Sequence, residues 1–291
     1  MVYQMAKVAS RAWIEAVRPI AARDGGQPLH LHFLNRSTLA GIAGVAAMTG
    51  PSQTIANRFL LREMLRKGET GSAAITRARR DGQTIRVVTG MRDPVSRSLS
   101  MLHFAADFYG DTSRPLDRFR GGDGAATAAV LREFWRALLA GEQPGDSFAR
   151  LMVTLIGAYR NWFADELFNS LGVCLRADTV TGDPHRLHGD GVEVLLYRVE
   201  DMAPDAAGHQ ALLARASAFL GDALSALPRV NTADSRRSYA RYQAAAAAFR
   251  LSAAELDAIY DAPSVKHFYS IGEVAAFKRR WLDQSEAGAS S

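Results

Sequence analysis

Val87-Val88-Thr89-Gly90-Met91-Arg92-Asp93-Pro94-Val95-Ser96-Arg97-Ser98-Leu99-Ser100 decides the fold class of this chain. The apolar run predicts a buried strand, Arg92-Asp93 a sharp exit, and the rest the first turns of a helix. Asp93 is placed to cap that helix, its carboxylate accepting from free backbone N–H groups. Pro94 then takes the first helical position, where no N–H is needed. Val95, Leu99, Leu102 and Ala106 fall on one apolar stripe, with Ser96, Ser100, His103 and Asp107 on a neighbouring polar face. In an α/β protein a strand-to-helix corner is where phosphate is usually held. Arg92 at the strand exit, with the Ser100 hydroxyl, makes a receptor for a terminal phosphate. The plainer reading, a structural Arg92–Asp93 ion pair at a helix start, stands beside it.

Strands and helices alternate outward from this corner. Val2–Met5 predicts a short strand, and its position at the very start of the chain predicts a true start a few residues earlier. The loop Ala6–Ser10 leads into a helix carrying Trp13, Ile14 and Val17, which Pro19 should kink or end, with Gly25-Gly26 closing the unit. Leu29–Leu34 alternates as a second strand, with His30 and His32 on one face and Leu29, Leu31 and Phe33 on the other. A helix is predicted over Ser52–Lys67, through Ile55, Phe59 and Met64, and a strand over Thr84–Thr89. Asp111–Gly124 reads as a mobile Gly- and Arg-rich loop. Helices follow near Ala125–Ala140 and Ser147–Phe168, then strands at Val173–Arg176 and Val192–Val199. The second of these is apolar enough for a buried parallel strand. From about Ala207 the chain reads as mostly helical, and Gln284–Ser291 as a disordered tail. This order predicts an α/β fold in three layers, a mostly parallel central sheet flanked by helices, with a helical C-terminal part. Residues 1–283 are expected to form a single domain, with 284–291 as the tail.

The chain has 291 residues, 48% of them hydrophobic and 22% charged, ordinary values for a globular protein with a full core. The net charge of +5, carried far more by Arg than by Lys, favours an anionic ligand but is too scattered to argue for nucleic acid. The single Cys174 excludes a disulfide within the chain. No apolar run is long enough to span a bilayer, and the N-terminus lacks the basic-then-apolar pattern of a signal peptide, so a cytoplasmic protein is expected. The sequence leaves the oligomeric state open.

Tyr3-Gln4-Met5-Ala6-Lys7-Val8-Ala9-Ser10-Arg11-Ala12-Trp13 is a strand, a small-residue loop with a lysine, and a helix start. Such a turn can cradle phosphate: successive backbone N–H groups face the anion, and the helix dipole and Lys7 add positive charge. It can equally be an ordinary βα turn with a solvated lysine. Together with the Arg92 corner, the pattern resembles the sulfotransferase fold, whose enzymes use 3′-phosphoadenosine 5′-phosphosulfate. More closely, the chain is similar to a sulfotransferase-like bacterial family of capsular polysaccharide synthesis. The opening segment, Leu29-His30-Leu31-His32-Phe33-Leu34-Asn35 and the Arg92–Ser100 corner carry the likeness. So do Asn161-Trp162-Phe163-Ala164-Asp165-Glu166-Leu167 and Lys266-His267-Phe268-Tyr269-Ser270-Ile271-Gly272-Glu273-Val274.

The resemblance implies an enzyme of polysaccharide biosynthesis that moves a sulfuryl group to a hydroxyl of a saccharide or another small acceptor, with no metal. Lys7 would contact the phosphosulfate bridge. Ser10 and the loop amides, from Val8 and Ala9 to Arg11, would bind the 5′-phosphate. Arg92 and Ser100 would hold the 3′-phosphate, and His32 or His30 would deprotonate the acceptor. His32 is preferred because it lies nearer the carboxyl end of its strand, where such sheets place ligands. The family's loop has glycine where this chain has Ala6 and Ala9, and a small hydroxyl where it has Arg11. That departure keeps open a second reading: a catalytically impaired nucleotide-binding or partner-binding protein of the same fold. A P-loop phosphoryl-transfer enzyme is a third, disfavoured because the loop lacks the glycine-rich Lys-Ser/Thr pattern.

Other candidates are weaker. Arg236, Arg237 and Arg241, with Tyr239 and Tyr242, form a basic and aromatic cluster that can close over the nucleotide, Arg236 being the residue named for it, or be a solvated helix face. His185 and His188 near Asp183 and Asp190 fit a surface turn better than a metal site. Glu200 and Asp201, just past the buried strand, face the ligand edge and can orient Lys7 or an arginine, or cap the next element. Trp135 and Trp162 read as core residues.

Overall fold

The structure is a computed structural model, and it describes residues 1–48, 55–109, 123–145, 147–175, 185–228, 230 and 239–283. The chain is α/β, and it groups into two compact units. The first comprises residues 1–43, 61–92 and 161–232; the second comprises 44–60, 93–160 and 233–291.

The first unit holds a five-stranded sheet in the order β2-β1-β3-β5-β4. Its strands are β1 (Val2–Tyr3), β2 (His30–Leu31), β3 (Ile85–Met91), β4 (Arg186–Gly189) and β5 (Val192–Arg198). β1 runs parallel to β2 (Val2 opposite His30) and to β3 (Val2 opposite Val88). β3 runs parallel to β5 along its whole length, from Ile85 opposite Val192 to Met91 opposite Arg198. β4 alone is antiparallel, paired with β5 through the Gly189-Asp190-Gly191 turn, where Gly191 takes the left-handed conformation. Four carboxyl ends therefore share one edge of the sheet.

Residue pattern explains the layers. Val2, Val88, Leu195 and Tyr197 point to one face, where α1 (Ser10–Arg23) lays Trp13 and Val17 on them and α7 (His209–Leu220) adds Leu212, Leu213, Ala216 and Phe219. Tyr3 points the other way, its ring 4.9 Å from that of Trp162. Near β2, α3 (Ile55–Arg80) comes close because Gly68 and Gly71 carry no side chain. A Cβ on Gly71 would lie 2.6 Å from the Leu31 side chain, and one on Gly68 would lie 3.1 Å from the Phe33 carbonyl. β5 is buried from Val194 to Tyr197 at 0% exposure, the burial expected of a strand covered on both faces.

The second unit is helical over its described residues: α4 (Pro94–Tyr109), α5 (Gly124–Ala140), α6 (Ser147–Trp162, which runs on into the first unit), α8 (Tyr239–Ala248), α9 (Ala253–Tyr260), α10 (Pro263–Phe268) and α11 (Ile271–Trp281). Its core includes Val95, Leu99, Leu102, Trp135, Tyr159, Phe249 and Trp281. Gly124 packs so tightly on Ala244 of α8 that a side chain there would strike the α8 backbone. α9 and α11 each begin with a capping box, Ser252 with Glu255 and Ser270 with Glu273.

Several boundaries differ from those read in the sequence. α1 runs through Pro19 to Arg23: Pro19 is exposed there, and its missing N–H costs the helix one hydrogen bond, the one to the carbonyl four residues earlier. α2 (Arg36–Met48) was not predicted; its Ala, Gly, Ser and Thr residues give little periodic signal. α3 extends past Lys67 to Arg80. The predicted strand at Val173 is absent: Val173 and Cys174 have no regular structure, while Arg176 lies outside the described residues. β4 stands in place of a surface turn, since four residues ending in Gly189 carry almost no alternation. The Asp111–Gly122 part of the loop, Arg236 and Arg237, and the tail 284–291 lie outside the described residues. No helix of the described residues is long and apolar enough to cross a membrane.

Candidate functional site

The strand order creates a reversal between β1 and β3. From β1 the chain turns outward to β2, then crosses back over to β3 on the other side of β1. The loops leaving these two strands part in opposite directions, and the crevice between them is where open α/β sheets bind ligands. The loop after β1 carries Lys7, Val8, Ala9 and Ser10; the residue after β3 is Arg92. Both belong to the first unit.

The β1–α1 loop has a contorted backbone. Lys7 (φ 69°) and Ala9 (φ 62°, ψ 31°) both take the left-handed conformation, flanking Val8. Left-handed residues set among right-handed ones turn neighbouring N–H groups to one side, as an anion nest requires. For a non-glycine residue that conformation costs about 1–2 kcal/mol. Ala9 precedes α1 without a side-chain cap, and no acidic residue occupies the first turn, so the positive end of the helix is uncompensated by its own sequence. Arg11 is exposed, and Ser10 and Lys7 are half-buried.

Three residues fix this loop from below. The Tyr197 hydroxyl shares its proton between Gln4 Oε1, at 2.5 Å, and the Val8 carbonyl. The Gln4 amide donates to the same carbonyl at 3.4 Å. Tyr197 reaches the loop only because β3 has Gly90 opposite it: a Cβ there would lie 2.6 Å from the ring. Burial holds the Tyr197 phenol well above its ordinary pKa, so it stays a donor.

Arg92 is half-buried at the end of β3, and among the described residues none forms a hydrogen bond or ion pair with its guanidinium. The ion pair with Asp93 offered by the plainer reading is not made. Asp93, 1% exposed, instead caps α4 through the Ser96 N–H at 3.1 Å and hydroxyl at 2.6 Å, and accepts from Tyr260 and from Trp281 Nε1. At the end of β5, Arg198 is held bidentately by Asp201, both contacts at 2.7 Å. Asp201 thus orients an arginine, one of the roles read for it.

His30 lies in β2 and His32 just past its end, their rings 4.7 Å apart edge to face. His32 Nδ1 donates to the Gln4 carbonyl at 2.8 Å, which leaves Nε2 with its lone pair. Burial lowers both imidazole pKa values, helped by Lys67 and Lys7 beside His32 and by His32, Lys67 and Arg11 beside His30, which falls to about 3. His30 Nε2 is shut off from solvent with no hydrogen-bond partner among the described residues, so His30 is a poor proton acceptor and His32 the better candidate. The Trp162 indole donates to the His32 carbonyl at 3.1 Å.

Lys7, Val8, Ala9, Ser10, Arg11, His30, His32 and Arg92 all lie in the first unit, on elements that end at the same sheet edge. Ser100 lies on α4 in the second unit, half-buried. His103, read on the polar face of α4, is buried against Tyr242, ring centroids 5.2 Å apart. Arg97 of the same helix is wholly buried and donates to the Leu155 and Ile156 carbonyls, a role its charge concealed in the sequence. Sequence reasoning also passed over Glu166, a buried carboxyl that accepts from Tyr3, Leu34 and Asn35. Among the described residues no group of His, Cys, Asp and Glu is placed to hold a metal ion. No protein-family model, curated protein or solved structure matches this chain.

Proposed function

We propose that the chain is a sulfotransferase-like enzyme. It moves a sulfuryl group from 3′-phosphoadenosine 5′-phosphosulfate to a hydroxyl of a saccharide or another small acceptor. The observation that carries the reading is the β1/β3 switch point: a left-handed loop with Lys7 and the Arg92 guanidinium, which has no hydrogen bond or ion pair among the described residues, follow two neighbouring parallel strands at one sheet edge. The loop amides, Ser10 and Lys7 take the 5′-phosphosulfate, and Arg92 takes the 3′-phosphate. The acceptor oxygen attacks sulfur in line and its proton passes to His32 Nε2. The bond from sulfur to the bridging oxygen breaks, and its electron pair stays on the departing phosphate beside Lys7. The catalysis asked of the protein is positioning and charge stabilisation.

Titration calorimetry with adenosine 3′,5′-bisphosphate is the test. Arg92→Ala should weaken binding about 10- to 100-fold, the worth of a charge-assisted contact of about 1.5–3 kcal/mol. Wild-type protein that does not bind the bisphosphate rules the proposal out. A second reading, a nucleotide-binding protein with impaired turnover, is favoured by the methyl of Ala9 at a left-handed position and by the low basicity of the histidines. Binding without sulfuryl transfer across a broad acceptor panel selects it. Tight binding of ATP with Mg²⁺, and none of the bisphosphate, would select phosphoryl transfer instead.

A further inference from the structure

Glu166 is 1% exposed and sits in a π-helical turn, Phe163–Phe168, that follows α6. Such turns insert a residue into a helix, re-aim its side chains, and are frequent at functional sites. Here the turn delivers a carboxyl to the ends of two strands. Glu166 Oε2 accepts from the Tyr3 hydroxyl at 2.6 Å, the Leu34 N–H at 2.7 Å and the Asn35 N–H at 2.9 Å. Its other oxygen, Oε1, is sealed from solvent and has no hydrogen-bond partner among the described residues. The neighbouring Asp165 carbonyl accepts from the Asn35 side chain at 2.6 Å, and Trp162 holds the His32 carbonyl at 3.1 Å.

These contacts bracket one hydrogen bond. Tyr3 immediately precedes Gln4, whose carbonyl accepts from His32 Nδ1; Leu34 and Asn35 follow His32 by two and three residues. Glu166 therefore spans the same two strand ends as the His32–Gln4 bond. A buried carboxyl with one saturated oxygen and one orphan is costly to keep for packing alone. We infer that Glu166 is a positioning residue that acts through His32, locking the Nδ1-protonated tautomer and leaving Nε2 to take the acceptor's proton. The inference rests on the reading of His32 as the base.

The experiment is side-chain ¹⁵N NMR of His32, assigned by loss of its signals in His32→Gln. Wild-type protein should show the Nδ1–H tautomer. Glu166→Gln, which keeps an oxygen for the three donors, should preserve it. Glu166→Ala should give the tautomer mixture of a free imidazole. Glu166→Asp withdraws the carboxyl by one methylene and should move the signals the same way, so the test survives if the alanine variant does not fold. An Nε2–H tautomer in the wild type, or unchanged His32 signals in a folded alanine or aspartate variant, overturns the inference. A merely structural Glu166 would lower thermal stability and leave the tautomer alone. Bisphosphate binding is measured on the same samples; its absence from the wild type ends the transfer reading, and the His32 signals still decide the positioning role.

Discussion

Ala9 holds a methyl group in a conformation that suits glycine, and the proposed anion site depends on that conformation. Ala9→Gly removes the clash but frees the unfolded chain, so the two effects partly offset. A net gain of up to about 1 kcal/mol in urea denaturation is expected, and a loss would mean that the φ of 62° is not what the loop requires. Gly90→Ala acts in the opposite sense. Its Cβ would fall 2.6 Å from the Tyr197 ring, and overpacking of that kind costs about 1–3 kcal/mol by the same measurement. His30 sets a pH dependence. Its folded pKa, about 3, lies below the unfolded value, so between these pH values the unfolded chain binds the proton and the folded chain does not. Stability is then complete above pH 6.5 and falls as the pH is lowered toward 3, by at most about 1.4 kcal/mol per pH unit for this one proton. In His30→Gln that slope should flatten in denaturation curves collected across this window.

At the scale of elements, the β1–α1 loop is held by a strand two places away in the chain's own sheet. Tyr197→Phe removes the hydroxyl that engages Gln4 and Val8. About 1–3 kcal/mol should be lost, because buried acceptors are left bare. Hydrogen exchange at residues 5–10 should accelerate more than at the centre of β5. Exchange that rises uniformly would show that the hydroxyl supports the whole sheet rather than the loop. The Arg92–Ser100 corner shows how far local sequence reaches. Asp93 as cap and Pro94 as the first helical residue follow from local rules, and both are found. That Asp93 also gathers Tyr260 and Trp281 does not follow, since those donors are 167 and 188 residues away. Asp93, the partner that local sequence offered Arg92, is thereby engaged elsewhere.

Over the molecule, the sheet order matters more for the proposed function than any single motif. Cradle and corner are separated by more than eighty residues in the chain, and only β1 lying against β3 sets them at one edge. The net charge of +5 adds a weak, long-range attraction for anions. Binding of adenosine 3′,5′-bisphosphate should therefore weaken as salt rises from about 0.01 to 0.15 M, over which the screening length shrinks from roughly 30 to 8 Å. Salt-independent binding would place the anion contacts elsewhere. By itself the sequence determined the α/β class, the buried β5, the cap at Asp93 and the pairing of His30 with His32 on one face. Each of these follows from periodicity or from neighbours a few residues apart. Only the tertiary structure decided the order of the strands, the left-handed turn at Ala9, the burial of Arg97 and the reach of Glu166 to two strand ends. Those depend on contacts between distant segments, whose free energy no local window of residues contains.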